Sequence, residues 1–139
     1  MALIEWNDGL KLGVTTIDRQ HQRLIGIANR LEDAVKQGLG PDVISETMDD
    51  LIIYTASHFS MEEEYFALFD YADAEEHKLE HAALIEKVKT FAANYHESAG
   101  TNGPAFAEEM LQFLGIWLRY HMLETDAKFV KLFKERGLD

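Results

Sequence analysis

Four separate stretches of this 139-residue chain carry apolar side chains at steps of three and four, and each stripe carries histidine toward one end. Such steps return to one face of an α-helix, so four stripes imply four helices with one face each to bury. The first stripe is His21, Leu24, Ala28, Leu31 and Val35, and the second is Ile44, Met48, Leu51, Thr55, His58 and Glu62. The third is His77, His81, Leu84, Val88, Phe91 and Tyr95, and the fourth is Ala107, Met110, Leu114, Trp117 and His121. Only Pro41 and Pro104 occur, each where a helix would begin, a position at which proline costs no hydrogen bond.

The expected class is all-α, an up-down-up-down four-helix bundle with an extended N-terminal arm and a short C-terminal helix, in a single domain. Residues 1–16 hold Trp6, Gly9 and Gly13 without a period and read as the arm. Helices are expected over about 18–37, 41–65, 73–97 and 104–124, with the terminal helix over about 127–136. Gly38 and Gly40 stop the first helix, and Asp73 with Glu76 suits a capping box for the third. Phe66 to Ala72 reads as an aromatic connection and Ser98 to Gly103 as a polar loop.

The formal net charge of −12 argues against nucleic acid and against anionic membrane surfaces. No cysteine is present, which excludes disulfides, thiolate zinc sites, cysteine-held iron–sulfur clusters and cysteine nucleophiles. Without an N-terminal apolar segment or a long apolar run, the expectation is a cytoplasmic protein with no membrane span.

In an up-down-up-down bundle, the positions of His21, His58, His77, His81 and His121 fall at one end. His58 with Glu62 and His77 with His81 are spaced i, i+4 and share a helix face. Leaving that many imidazoles buried and unsatisfied would cost about 1–3 kcal/mol per group, so a transition-metal site is expected. His96 serves as a contrast: it lies 15 residues past His81, about 22 Å along a helix, and cannot join the group. The last helix offers two carboxylates. Spacing alone favours Glu124, at i+3 from His121. Asp126, at i+5, lies about 140° around a regular helix and needs an offset metal or a distorted turn. Five imidazoles with two carboxylates are too many for one ion and reasonable for two. Iron suits such a nitrogen and oxygen set, with zinc and manganese as alternatives. The Glu-x-x-His pairs of ferritin-like enzymes are absent.

Taken together, Trp6 in the arm, the run from Ile17 to His21, His58-x-x-x-Glu62, His77-x-x-x-His81 and His121-x-x-x-x-Asp126 resemble the bacterial hemerythrins over nearly the whole chain. The resemblance implies two iron ions per chain with a bridging oxo or hydroxo group. His77, His81 and His121 would hold one iron, and His21 and His58 the other. Glu62 and Asp126 would bridge, so the resemblance, not spacing, selects Asp126 over Glu124. It also implies a dry O2 pocket lined by Leu24, Phe59 and Trp117. Arg119 departs from the pattern, standing where relatives often carry an apolar pocket residue. One heptad before Asp126, it would share that face of a regular helix. It either turns inward and wets the pocket or snorkels outward, the favoured alternative.

The function implied is reversible O2 binding for storage, delivery or sensing, by a monomer that is not primarily an enzyme. An oxygen-consuming enzyme is the expected protein partner. The alternatives are a di-iron enzyme reducing nitric oxide or peroxide, and an O2 or iron sensor docking a partner.

Overall fold

The computed structural model describes residues 4–97 and 103–138, so Met1–Leu3, Ser98–Asn102 and Asp139 lie outside it. The loop expected at Ser98–Gly103 is therefore almost wholly outside the described residues. The chain forms helices α1 (Thr15–Lys36), α2 (Pro41–Leu68), α3 (Ala74–Glu97), α4 (Gly103–Tyr120) and α5 (Asp126–Glu135), and no strand among the described residues. The first four make a four-helix bundle in which α1 and α3 each pack on both α2 and α4.

The bundle core is built from the expected stripes. Leu24, Leu31, Met48, Leu51, Leu84, Val88, Met110 and Leu114 are all buried in one apolar cluster. A second cluster joins the arm to the bundle, with Ile4 and Leu10 packed on Ile25, Ala28, Leu118 and Met122. The arm is pinned by Asn29, whose side chain accepts from the Ile4 amide at 3.1 Å and donates to the Ile4 carbonyl at 2.8 Å. It is not extended throughout, because Asp8–Leu10 form a short 3-10 turn.

Three helix boundaries differ from expectation. The first helix begins at Thr15, not near Asp18, because Asp18 ties down the preceding turn. Its carboxylate accepts from the amides of Leu12 at 2.8 Å and Gly13 at 3.0 Å. The second helix runs on to Leu68, since Phe66 lies one turn past Glu62 and is buried in a third cluster with Phe129 and Phe133. The fourth helix and the terminal helix are not separate elements. A single wide turn, His121–Thr125, joins α4 to α5, and the Asp126 amide bonds the His121 carbonyl five residues back. Helix α5 then lays Phe129 and Phe133 over Phe66 near the end of α2.

Candidate metal centre

Each bundle helix delivers its part of the centre from the core-facing stripe. Helix α1 supplies His21, α2 supplies His58 and Glu62, and α3 supplies His77 and His81. The wide turn supplies His121 at its start, and Asp126 follows at its end. All seven side chains are buried, none more than 4% exposed.

The two carboxylates lie between the imidazoles. Asp126 Oδ2 is 2.7 Å from His21 Nε2, 2.9 Å from His121 Nε2 and 3.9 Å from His58 Nε2, while Oδ1 is 3.6 Å from His77 Nε2. Glu62 Oε2 faces His58 Nε2 at 3.5 Å, and Oε1 faces His81 Nε2 at 3.2 Å and His121 Nε2 at 3.6 Å. Each carboxylate thus turns its two oxygens toward different imidazoles. The donor atoms fall into two compact groups. One is His21, His58, Glu62, His121 and Asp126; the other is Glu62, His77, His81 and His121.

The wide turn places Asp126, rather than Glu124, among the imidazoles. A regular helix would point Asp126 about 140° away from His121, but a turn closed by an i to i+5 hydrogen bond returns it to the same face. Glu124 is exposed. Regular helical phase turns Arg119 away from His121. Arg119 lies two residues before His121, about 200° around the helix, and the extra residue breaks the heptad relation to Asp126. Its side chain is exposed and borders a surface depression with Ile4, Glu5 and Leu123, the outward one of the two placements that the sequence left open. His96 is exposed as well, its Nδ1 3.4 Å from Ser45 Oγ.

Burial governs the titration of the site. It holds His58 well below the usual imidazole range, with the His21 charge adding to the effect. It lowers His81 to about 2, aided by His121 and His77. It lowers His121 too, against the pull of Asp126. Burial, then the nearby Asp126 charge, raises Glu62 well above the usual carboxylate range. Burial also pushes Asp126 upward, but His121, His21 and His77 outweigh it and hold that carboxyl well below its ordinary value. Three imidazoles are therefore kept neutral, the form in which nitrogen can donate to a metal.

Two partners behind the centre were not foreseen from sequence. His58 Nδ1–H donates to Gln20 Oε1 at 2.6 Å, and His81 Nδ1–H donates to Glu63 Oε2 at 3.0 Å. Both bonds fix the tautomer that presents a bare Nε2 inward. The only sequence signal was adjacency, Gln20 beside His21 and Glu63 beside Glu62. Adjacency does not say which neighbouring helix such a side chain reaches.

Aromatic rings wall the centre. Phe59 stacks on His81 with centroids 3.8 Å apart, and Trp117 stacks on His121 at 4.4 Å. Phe59 and Leu24 are buried in the main core cluster, against which Trp117 packs. On the other side Phe66 lies 4.8 Å from His77, and Phe129 lies 5.1 Å from it. A surface groove of about 400 Å³ between α3 and α4 reaches Trp117 and His121, and one of about 600 Å³ between α2 and α3 reaches Phe59, Glu63 and His81.

The donor set fits a metal by its unmet bonding. Among the described residues, eight buried side-chain nitrogens and oxygens have no hydrogen-bond partner, and they belong to these seven residues alone. They include Nε2 of His58, His77, His81 and His121, both oxygens of Glu62 and Oδ1 of Asp126. Isolated, each such atom costs about 1–3 kcal/mol; coordinated, it costs nothing of the kind.

Buried imidazoles and carboxylates converging inside a four-helix bundle define a metal-binding helical protein. The family described as Hemerythrin HHE cation binding domain matches residues 12–133, and this chain belongs to the hemerythrin family. It is 35% identical over 128 residues to the bacteriohemerythrin of Clostridium acetobutylicum, covering 90% of this chain and 97% of that one. It is 32% identical over 130 residues to the bacteriohemerythrin of Pseudomonas aeruginosa, covering 94% of this chain and 81% of the relative. Among solved structures, the crystal structure of a hemerythrin L114Y mutant superposes with a TM-score of 0.82 at 26% identity, covering 95% of this chain and 98% of that one.

Proposed function

We propose that this chain binds O2 reversibly at a non-haem di-iron centre held by His21, His58, Glu62, His77, His81, His121 and Asp126. The observation that carries the reading is the set of buried, partnerless donor atoms that, among the described residues, is confined to these seven. Their division into two groups sharing Glu62 and His121 supports two ions. In this reading His77, His81 and His121 would hold one iron and His21 and His58 the other, with the carboxylates of Glu62 and Asp126 completing the set. Family membership supports iron over zinc or manganese. When bound, the iron pair supplies the redox-active centre at which O2 is taken up and given back.

The protein's part is to hold donors and exclude water. Gln20 and Glu63 lock His58 and His81 with Nε2 turned inward. Leu24, Phe59 and Trp117 form the apolar side of the site, Phe59 stacked on His81 and Trp117 on His121. An apolar wall that limits water there would limit the proton supply at the site, which favours reversible binding over turnover. Arg119, turned to the surface, adds no charge to that wall.

The test is anaerobic loading with Fe(II), metal analysis, and absorption spectra through repeated cycles of O2 and argon. About two irons per chain and a reversible spectral change are expected from the coordination count. One iron per chain, or zinc uptake without iron, overturns the di-iron reading. Sustained consumption of O2, nitric oxide or peroxide with a reductant, without a stable oxygenated spectrum, would instead favour the enzymatic alternative.

A further inference from the structure

The two imidazoles with a visible outer partner are backed by different chemistry. His81, in the group with His77 and His121, donates to the carboxylate of Glu63. His58, in the group with His21, donates to the neutral amide oxygen of Gln20. A carboxylate behind an imidazole draws its proton and raises the electron density at the opposite nitrogen; an amide oxygen does so far less. The geometry is otherwise alike. Both bonds use Nδ1, both leave a buried Nε2 without a hydrogen-bond partner, and both outer residues sit on a helix adjoining the one they support.

From this asymmetry we infer that Glu63 and Gln20 are positioning residues that make the two metal positions unequal. The His77–His81–His121 position holds its ion more tightly and fills first, and the His21–His58 position fills second. The inference rests on the di-iron reading. The larger number of imidazoles in the first position acts in the same direction, so the effect of Glu63 must be separated from it by substitution. Glu63 is well placed for this, because it lies beside the surface groove between α2 and α3 and its own side chain is 32% exposed. Replacing it opens no cavity in the core.

The experiment is equilibrium removal of Fe(II) from the loaded full-length protein by a graded ferrous chelator under anaerobic conditions, with iron per chain as the readout. Wild type should lose iron in two steps. Glu63→Gln should weaken the tighter step by about tenfold, within the usual range for loss of an outer-shell partner, and leave the weaker step nearly unchanged. Glu63→Asp should restore part of the loss. Gln20→Glu should tighten the weaker step and bring the two together. Circular dichroism checks that each variant is folded; should Glu63→Gln fail to fold, Gln20→Glu alone decides. A single step in wild type, a Glu63→Gln effect on both steps alike, or no tightening in Gln20→Glu overturns the inequality. A starting content other than about two irons per chain overturns the di-iron reading itself.

Discussion

Asp126 is fully buried while Glu124, two positions earlier, is exposed, so charge removal at the two sites should have opposite consequences. Asp126→Asn takes a carboxylate from among His21, His77 and His121 and should cut iron content to half or less of wild type. Glu124→Gln should leave iron content and the oxygenated spectrum unchanged, as should His96→Ala, since that imidazole is exposed and lies against Ser45 and Tyr95. Metal analysis after identical anaerobic loading decides, and the reverse pattern would place the second bridge at Glu124. At Arg119, the exposed side chain lies beside the arm with Ile4, Glu5 and Leu123. Arg119→Leu should therefore leave the decay rate of the oxygenated absorption band unchanged at equal iron loading. Clearly slower decay in the variant would mean that Arg119 reaches the pocket in solution.

The wide turn between α4 and α5 is the element that brings Asp126 beside His121. It accommodates one residue more than a regular turn while keeping His121 and Asp126 on one face. Deleting the exposed Glu124 should convert it into ordinary helix with the aspartate at i+4, still on that face. Iron content close to wild type is expected; a fall below half would show that the widened geometry is itself required. Helix α5 has a separate role as a cover. Phe133 is fully buried against Phe66, Phe69 and Tyr65. Phe133→Ala should cost about 3–5 kcal/mol of stability through the cavity it leaves. Denaturant unfolding measures this, and a loss under about 1 kcal/mol would mean that α5 is only loosely docked.

Across the whole molecule, the centre makes folding depend on metal and on pH. In the metal-free protein, His58, His81 and His121 have depressed values in the folded state, whereas the unfolded chain takes up protons as pH falls through about 6.5. The unfolded state then binds more protons, so stability falls as pH drops below that value. Glu62, with a raised value, works in the other direction, but one carboxyl is set against three imidazoles. The urea midpoint of metal-free protein should be lower at pH 5.5 than at pH 7.5, and iron loading at pH 7.5 should raise it. A midpoint that is flat or rises on acidification would contradict the buried, neutral state of these histidines. Much of this architecture was legible before any coordinates. Steps of three and four define which face of each helix is buried whatever its neighbours do, so the stripes, the four helices and the histidines at one end follow from local periodicity. Two i, i+4 pairs, His58 with Glu62 and His77 with His81, are local facts of the same kind. Only the tertiary structure decided the rest. The turn at His121–Thr125 widens where α4 hands over to α5, and helical phase across it has no local signature; this is why spacing favoured Glu124 and gave Arg119 and Asp126 a common face that the structure does not keep. Glu63 and Gln20 act on histidines 18 and 38 residues away in the chain, and such pairings exist only once neighbouring helices have packed in register.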